Sequence, residues 1–260
     1  MVHDADGLSD ETMASFARET RLAETTFLQT AEEDGADYRN RIWTVGGEVP
    51  FAGHPSLGTA VAVAQARGES EASYVQQTGA GLQPIDVRRD GDGWSASMLQ
   101  EPPVFGSEAE APHVMAACGL MPGDAHRELG PQVVATGLPT LVALVHAQDA
   151  ITRAAPDFDL VDAVLAGTGA GNLYLAWYDG AGKARARMFT RLVEGGEDPA
   201  TGSAAGPLCA YLYRHGLGSR LEISQGVEMR RPSMLLAEME EDRVRVSGGV
   251  VVVIEGNVTL

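Results

Sequence analysis

The chain has 260 residues, 44% hydrophobic and 21% charged, an ordinary globular composition on a length that suits two small domains. Its 36 Asp and Glu against 19 Lys and Arg give a formal net charge of -17, and so acidic a surface repels phosphate backbones and argues against nucleic-acid binding. No run approaches the roughly 20 apolar residues of a membrane-spanning helix, and Met1-Val2-His3-Asp4-Ala5-Asp6 lacks the basic and apolar regions of a signal peptide. The expectation is a cytoplasmic protein without membrane contact.

Ser9-Asp10-Glu11-Thr12 opens an amphipathic segment, which predicts a helix over 10–19 with Ser9 as its N-cap. Residues 25–29 and 38–45 read as strands by alternation. Residues 55–66 are rich in Ala, Val and Leu and read as a buried helix with Pro55 in its first turn. Strand-like runs follow at 73–77, 82–88 and 94–98, the last two joined by a hairpin at Asp90-Gly91-Asp92-Gly93.

Glu101-Pro102-Pro103-Val104-Phe105-Gly106 breaks the pattern and places a boundary there, giving halves 1–104 and 105–260. Residues 109–118 and 160–166 read as helices, and 132–135, 140–145, 172–178 and 184–189 as strands. A second Ala- and Gly-rich helix is predicted over 201–215, then four short strands from Leu221 onward, the last a candidate to cross back to the first half. The fold class is α+β with mostly antiparallel sheet. Cys118 and Cys209 sit apart in apolar, helix-like runs and read as buried free thiols, with neither zinc spacing nor a disulfide framework.

The sequence also repeats itself. His54-Pro55-Ser56-Leu57-Gly58-Thr59-Ala60 aligns with Asp198-Pro199-Ala200-Thr201-Gly202-Ser203-Ala204. Upstream, Trp43-Thr44 matches Phe189-Thr190, and Gly46-Gly47-Glu48 matches Gly195-Gly196-Glu197. Each copy describes a strand end, a Gly-rich turn and a helix whose first N–H groups are free. Such a helix start favours an anion, and small residues let it approach the backbone. Two such loops across a domain interface would close a pocket for a small anionic metabolite. The ordinary alternative is two helix starts that look alike by chance.

His54 and Asp198 hold matching places before the two prolines. Groups of different acidity are what proton transfer needs, although Asp198 alone also suits an N-cap. Glu24, between the first helix and a strand, has no spacing that makes it catalytic. No Walker loop, dinucleotide fingerprint, His-Glu-x-x-His or Gly-x-Ser-x-Gly occurs in the sequence. The expectation is an enzyme without metal or cofactor.

Leu8-Ser9-Asp10-Glu11-Thr12-Met13, Leu22-Ala23-Glu24-Thr25-Thr26-Phe27, the Gly53-His54-Pro55-Ser56-Leu57-Gly58-Thr59-Ala60 loop and Glu197-Asp198-Pro199-Ala200-Thr201-Gly202-Ser203-Ala204-Ala205-Gly206-Pro207 resemble the PhzF family of phenazine-biosynthesis isomerases, in the right order over essentially the whole chain. The resemblance implies the diaminopimelate-epimerase-like fold, with two similar halves, each a sheet rolled around a central helix. It also implies that Glu24 is the catalytic general acid/base. In the phenazine enzyme that residue takes a proton from one ring carbon of a dihydro-hydroxyanthranilate and returns it at another. His54 and Asp198 would hold and polarise the substrate, and Gly53, Ser56, Thr201, Gly202 and Ser203 would bind it. A homodimer is implied as well.

Two departures stand out. Ala23 replaces the Ser that usually precedes the glutamate. The family also ordinarily begins with a further strand pair of about twenty residues, so the N-terminal half is expected to lack it and to leave a sheet edge open. A thiol on each loop, as in the cysteine epimerases of this fold, is replaced by His54 and Asp198. Three functions remain open: a proton-shifting isomerase, a non-catalytic small-anion binder, and an amino-acid racemase.

Overall fold

The computed structural model describes residues 1–91 and 93–259. Asp92, in the expected hairpin turn, and Leu260, the last residue of the expected second half, lie outside the described residues. The chain divides into two compact units, Met1–Met98 with the residues from Ser247 onward, and Leu99–Val246.

The first unit contains α1 (Asp10–Thr20), β1 (Thr25–Gln29), β2 (Tyr38–Thr44), β3 (Gly47–Val49), α2 (Gly53–Arg67), β4 (Glu71–Thr78), β5 (Gly81–Asp90) and β6 (Gly93–Leu99). Ser9 caps α1 by accepting from the Thr12 amide at 3.2 Å. The strands run in the order β1-β2-β4-β5-β6, with β3 folded back on β2. Pairing is antiparallel except between β2 and β4. Val2 lies parallel to Phe27 on the β1 edge; its amide donates to the Thr26 carbonyl at 2.8 Å. One face of the sheet closes on α2, where Ala60, Val61, Val63 and Ala64 meet Tyr38, Tyr74, Ile85 and Val87. These small helix residues let sheet and helix approach closely. The Thr26 and Thr59 hydroxyls, 2.8 Å apart and buried, fasten β1 to α2. A smaller cluster of Ala5, Met13, Ala17, Phe27 and Trp43 seats α1.

The second unit contains β7 (Val104–Glu108), α3 (Ala111–Ala117), β8 (Gln132–Ala135), β9 (Pro139–Leu144), α4 (Gln148–Arg153), α5 (Phe158–Thr168), β10 (Asn172–Tyr178), β11 (Lys183–Phe189), β12 (Glu197–Asp198), α6 (Gly202–Arg214), β13 (Arg220–Gln225), β14 (Ser233–Glu240) and β15 (Arg243–Val250), whose last residues belong to the first unit. Strand order is β15-β14-β13-β11-β10-β9-β8-β7, with β12 on β11. The sheet wraps α6, which is buried from Ala204 to Leu212. Its outer face carries α3, α4 and α5 over Leu141, Leu173, Leu175 and Phe189. Tyr174, Tyr211 and Phe189 are fully buried, and each such side chain contributes roughly 1.5–3 kcal/mol through burial.

The fold is α+β and mostly antiparallel, each unit a sheet around one helix. The sequence reading differs in the tail and lacks the short elements β3, β7, β12 and α4. The tail forms three strands rather than four: residues 251–259 carry no regular structure, and Val251, Val253 and Ile254 are exposed. Alternation there is strand-like, but a strand also needs a partner for its N–H and C=O groups. The strand β7 and the helix α4 are not evident in the sequence. The first follows Pro102-Pro103 and is largely exposed; the second spans only six residues.

Candidate active site

In the first unit β3 leads to Ala52, which is extended and offers no side-chain cap to α2. The start of α2 therefore has no side-chain cap from its N-cap residue. Gly53 and His54 form the opening of the helix. Ser56 is fully buried and its hydroxyl donates back to the Ala52 carbonyl at 2.8 Å, so it fastens the turn from within. A Cβ added at Gly53 or Gly58 would meet open space, and neither has a positive φ. Glycine inside a helix costs about 1 kcal/mol relative to alanine, and packing among the described residues gives no reason for Gly58.

Glu24 immediately precedes β1, whose attachment to α2 through Thr26 and Thr59 brings it to that mouth. Its Oε2 is buried and lies 2.9 Å from Nε2 of His54 as an ion-pair contact; among the described residues no hydrogen bond of regular geometry reaches that oxygen. The Glu24 side chain is 20% exposed and that of His54 50%. One carboxylate oxygen is thus held inward against an imidazole that itself reaches solvent. This arrangement can pass a proton.

In the second unit Asp198 sits on β12, paired with Met188 of β11. The Thr201 hydroxyl donates to its Oδ2. Gln225, fully buried, ties the loop from below: its Nε2 donates to the Asp198 carbonyl at 2.7 Å and to Thr201 Oγ1 at 2.9 Å. Its Oε1 accepts from the Tyr174 hydroxyl at 2.8 Å and from the Thr201 amide at 3.3 Å. Burial, and secondarily the Asp198 charge, push the Tyr174 phenol well above its ordinary pKa, so it remains a donor. Gly226, at φ +75°, lets the next turn pass under the loop; a Cβ there would stand 2.7 Å from the Pro199 carbonyl oxygen. Thr201 spends its hydroxyl on this network, which leaves α6 without a side-chain cap. Gly202 and Ser203 open that helix.

A shared brace underlies both loops. Arg41 grips Glu48 with two bonds of 2.7 and 2.6 Å, and Arg187 grips Glu197 with two of 2.8 Å. Each Arg stands two residues before the aromatic of its aromatic-Thr pair and stacks over that ring, at 5.4 Å for Trp43 and 4.9 Å for Phe189. Each Thr hydroxyl accepts from the amide two residues on, Gly46 or Leu192. The internal repeat therefore begins at the arginines.

The structure brings Glu24 and His54 together in one unit, and Asp198 and Thr201 together in the other. The arginines carried a readable signal, because they extend the repeat upstream in the sequence. Gln225 and Tyr174 carried none, because they reach the loop from distant strands.

The sequence model described as phenazine biosynthesis-like protein, PhzC-PhzF, matches residues 1–256. The chain belongs to this family. The trans-2,3-dihydro-3-hydroxyanthranilate isomerase of Pseudomonas aeruginosa is 39% identical over 253 residues, covering 94% of this chain and 85% of that one. A solved structure of a predicted epimerase from Pseudomonas aeruginosa superposes with a TM-score of 0.84 at 34% identity, covering 100% of this chain and 92% of the other. A hydroxyproline epimerase from Agrobacterium vitis shares the fold at 16% identity, with a TM-score of 0.59 over 88% of this chain and 73% of that one. As a PhzF-family member similar to named isomerases, the protein is an isomerase. Among the described residues no helix is long and apolar enough to cross a membrane.

Proposed function

We propose that this isomerase shifts a proton between two carbons of a small carboxylate-bearing metabolite without a cofactor, and that Glu24 carries the proton. The observation that supports it most is the 2.9 Å contact between Glu24 Oε2 and His54 Nε2 beside the uncapped start of α2. The carboxylate takes a proton from an sp3 carbon, becomes the acid, and returns the proton to another carbon as the double bond moves. Nothing is oxidised or reduced. His54 orients the carboxylate and polarises the substrate, and Asp198 holds a polar substituent. The amides at Gly202 and Ser203, at the start of α6, grip the substrate carboxylate, and the Gly53 amide opens α2 beside His54. Ser56 and Thr201 shape the two loops through the bonds they make to Ala52 and Asp198.

The relatives' printed activity makes trans-2,3-dihydro-3-hydroxyanthranilate, or a compound of its kind, the first substrate to try. Incubation in D2O followed by NMR tests the reading. Isomerised product is expected, with solvent deuterium at the receiving carbon to the extent that the base exchanges. Binding of the anion with neither isomerisation nor exchange would leave a non-catalytic binder. The reading includes a cytoplasmic homodimer, the commonest form of soluble oligomer; sedimentation at a single-chain mass would remove the dimer from it.

A further inference from the structure

The two units can be aligned rung by rung. In the first, Thr25 pairs with Trp43, so Glu24 stands one residue ahead of the aromatic rung. In the second, Leu173 pairs with Phe189, so Asn172 stands there. Trp43 and Phe189 are the aromatics of the same braced Arg-x-aromatic-Thr motif. Asn172 is thus the counterpart of Glu24. Side chains alternate along a strand, so Asn172 shares a face with Tyr174, which packs in the core around α6. Glu24 likewise shares a face with Thr26, which bonds to Thr59 of α2.

Asn172 is 7% exposed, yet its Oδ1 is buried with no hydrogen-bond partner among the described residues. Its neighbour across the parallel β9–β10 pairing is Thr140, fully buried, whose Oγ1 also has none. Buried polar atoms are nearly always bonded, so adjacent orphans call for an absent partner. Their place indicates which. Thr136, in the β8–β9 turn, donates to Gln100 Oε1 at 2.6 Å, and Gln100 Nε2 donates to the carbonyl of Gly202, the first residue of α6, at 2.9 Å. That link fixes the Thr140–Asn172 end of the sheet to the start of α6. Gln100 reaches it because residue 206 is glycine; a Cβ there would lie 1.8 Å from Gln100 Oε1.

We infer that Asn172, with Thr140 beside it, binds a hydroxyl or amino substituent of the metabolite whose carboxylate is held at the start of α6. The inference rests on the proposed function above. It also gives a reason for chemistry by one carboxylate: at the same rung the first half carries an acid and the second a neutral amide, which can accept or donate but cannot take a proton from carbon. A racemase with matched bases at these two places is thereby disfavoured.

The test is a calorimetric titration of the full chain with four aromatic stand-ins: benzoate, 2-aminobenzoate, 3-hydroxybenzoate and 2-amino-3-hydroxybenzoate. Asn172→Leu should weaken at least one substituted ligand about tenfold while leaving benzoate unchanged, as expected for a lost hydrogen bond. Thr140→Val should weaken the same ligand less. A uniform loss across all four, or no loss, overturns the inference and makes the pair structural. Should Asn172→Leu fail to fold, Asn172→Ala carries the same comparison. If the unmodified chain and Glu24→Gln both bind none of the four, the proposed function fails and the inference with it. Binding by both with no effect at Asn172 removes the inference alone.

Discussion

Glu24 and His54, distant in sequence, meet carboxylate to imidazole at 2.9 Å, because β1 hangs on α2 through two threonine hydroxyls. Glu24→Gln keeps the size of the side chain and removes its ability to take a proton. Turnover should fall by about 100-fold or more, with the melting temperature and ligand affinity nearly unchanged. Steady-state kinetics beside a thermal melt decides it; near-normal kcat would mean that another group moves the proton. His54→Gln should lower kcat less, because the imidazole orients rather than carries.

The two arginine braces should differ in what they contribute. Arg187 is buried, bound to Glu197 and to the Ile151 and Ala154 carbonyls. Removing one partner of such a pair costs about 3–5 kcal/mol, since a buried charge is stranded. Arg41 joins Glu48 and Asp10, both substantially exposed, and its loss should cost about 1 kcal/mol or less. Urea denaturation of Arg187→Met and Arg41→Met compares them directly. Arg187→Lys should rescue only part, because an ammonium cannot bond in a fork.

Asp124 should set part of the acid limb of stability. The Arg153 guanidinium at 2.7 Å, aided by the Met121 amide at 2.9 Å, holds its carboxyl below the ordinary value. An unfolded aspartate titrates at about 3.9. The lowered group therefore stabilises the fold above that pH, and the contribution fades as pH falls through the folded value. The stability gap between the natural chain and Asp124→Asn should be full above about pH 5 and should close below about pH 4. A gap that stays constant to pH 2 would contradict this.

Both thiols should be silent in the native protein. Burial pushes Cys118 and Cys209 up to about 12. A disulfide reagent at pH 8 should label neither until denaturant is added, and Cys118→Ala with Cys209→Ala should keep turnover. Rapid native labelling, or lost activity in the stably folded double variant, would revive thiol chemistry.

Three strands built on short apolar runs were legible to the residue: Thr25–Gln29, Gln132–Ala135 and Asn172–Tyr178. The two central helices, whose Ala-rich runs mark burial, were legible to within two residues at each end: 55–66 against Gly53–Arg67 and 201–215 against Gly202–Arg214. The Glu24–His54 meeting was not, because it depends on strand register and on where β1 lies against α2. Family resemblance singled out Glu24; its own neighbours in sequence did not. Gln225 and Tyr174 were invisible for the same reason, since no local pattern records which distant strand lies beneath a loop.

Gly226 follows Gln225 and touches the back of the Asp198 loop, where an added carbon would collide with the Pro199 and Arg231 carbonyls. It contributes no group to the reaction, yet the loop can keep its shape only while that position stays bare. In a saturation screen scored by turnover, position 226 would behave like a member of the catalytic set. Only a separate measure of folding would distinguish the mould from the chemistry it shapes.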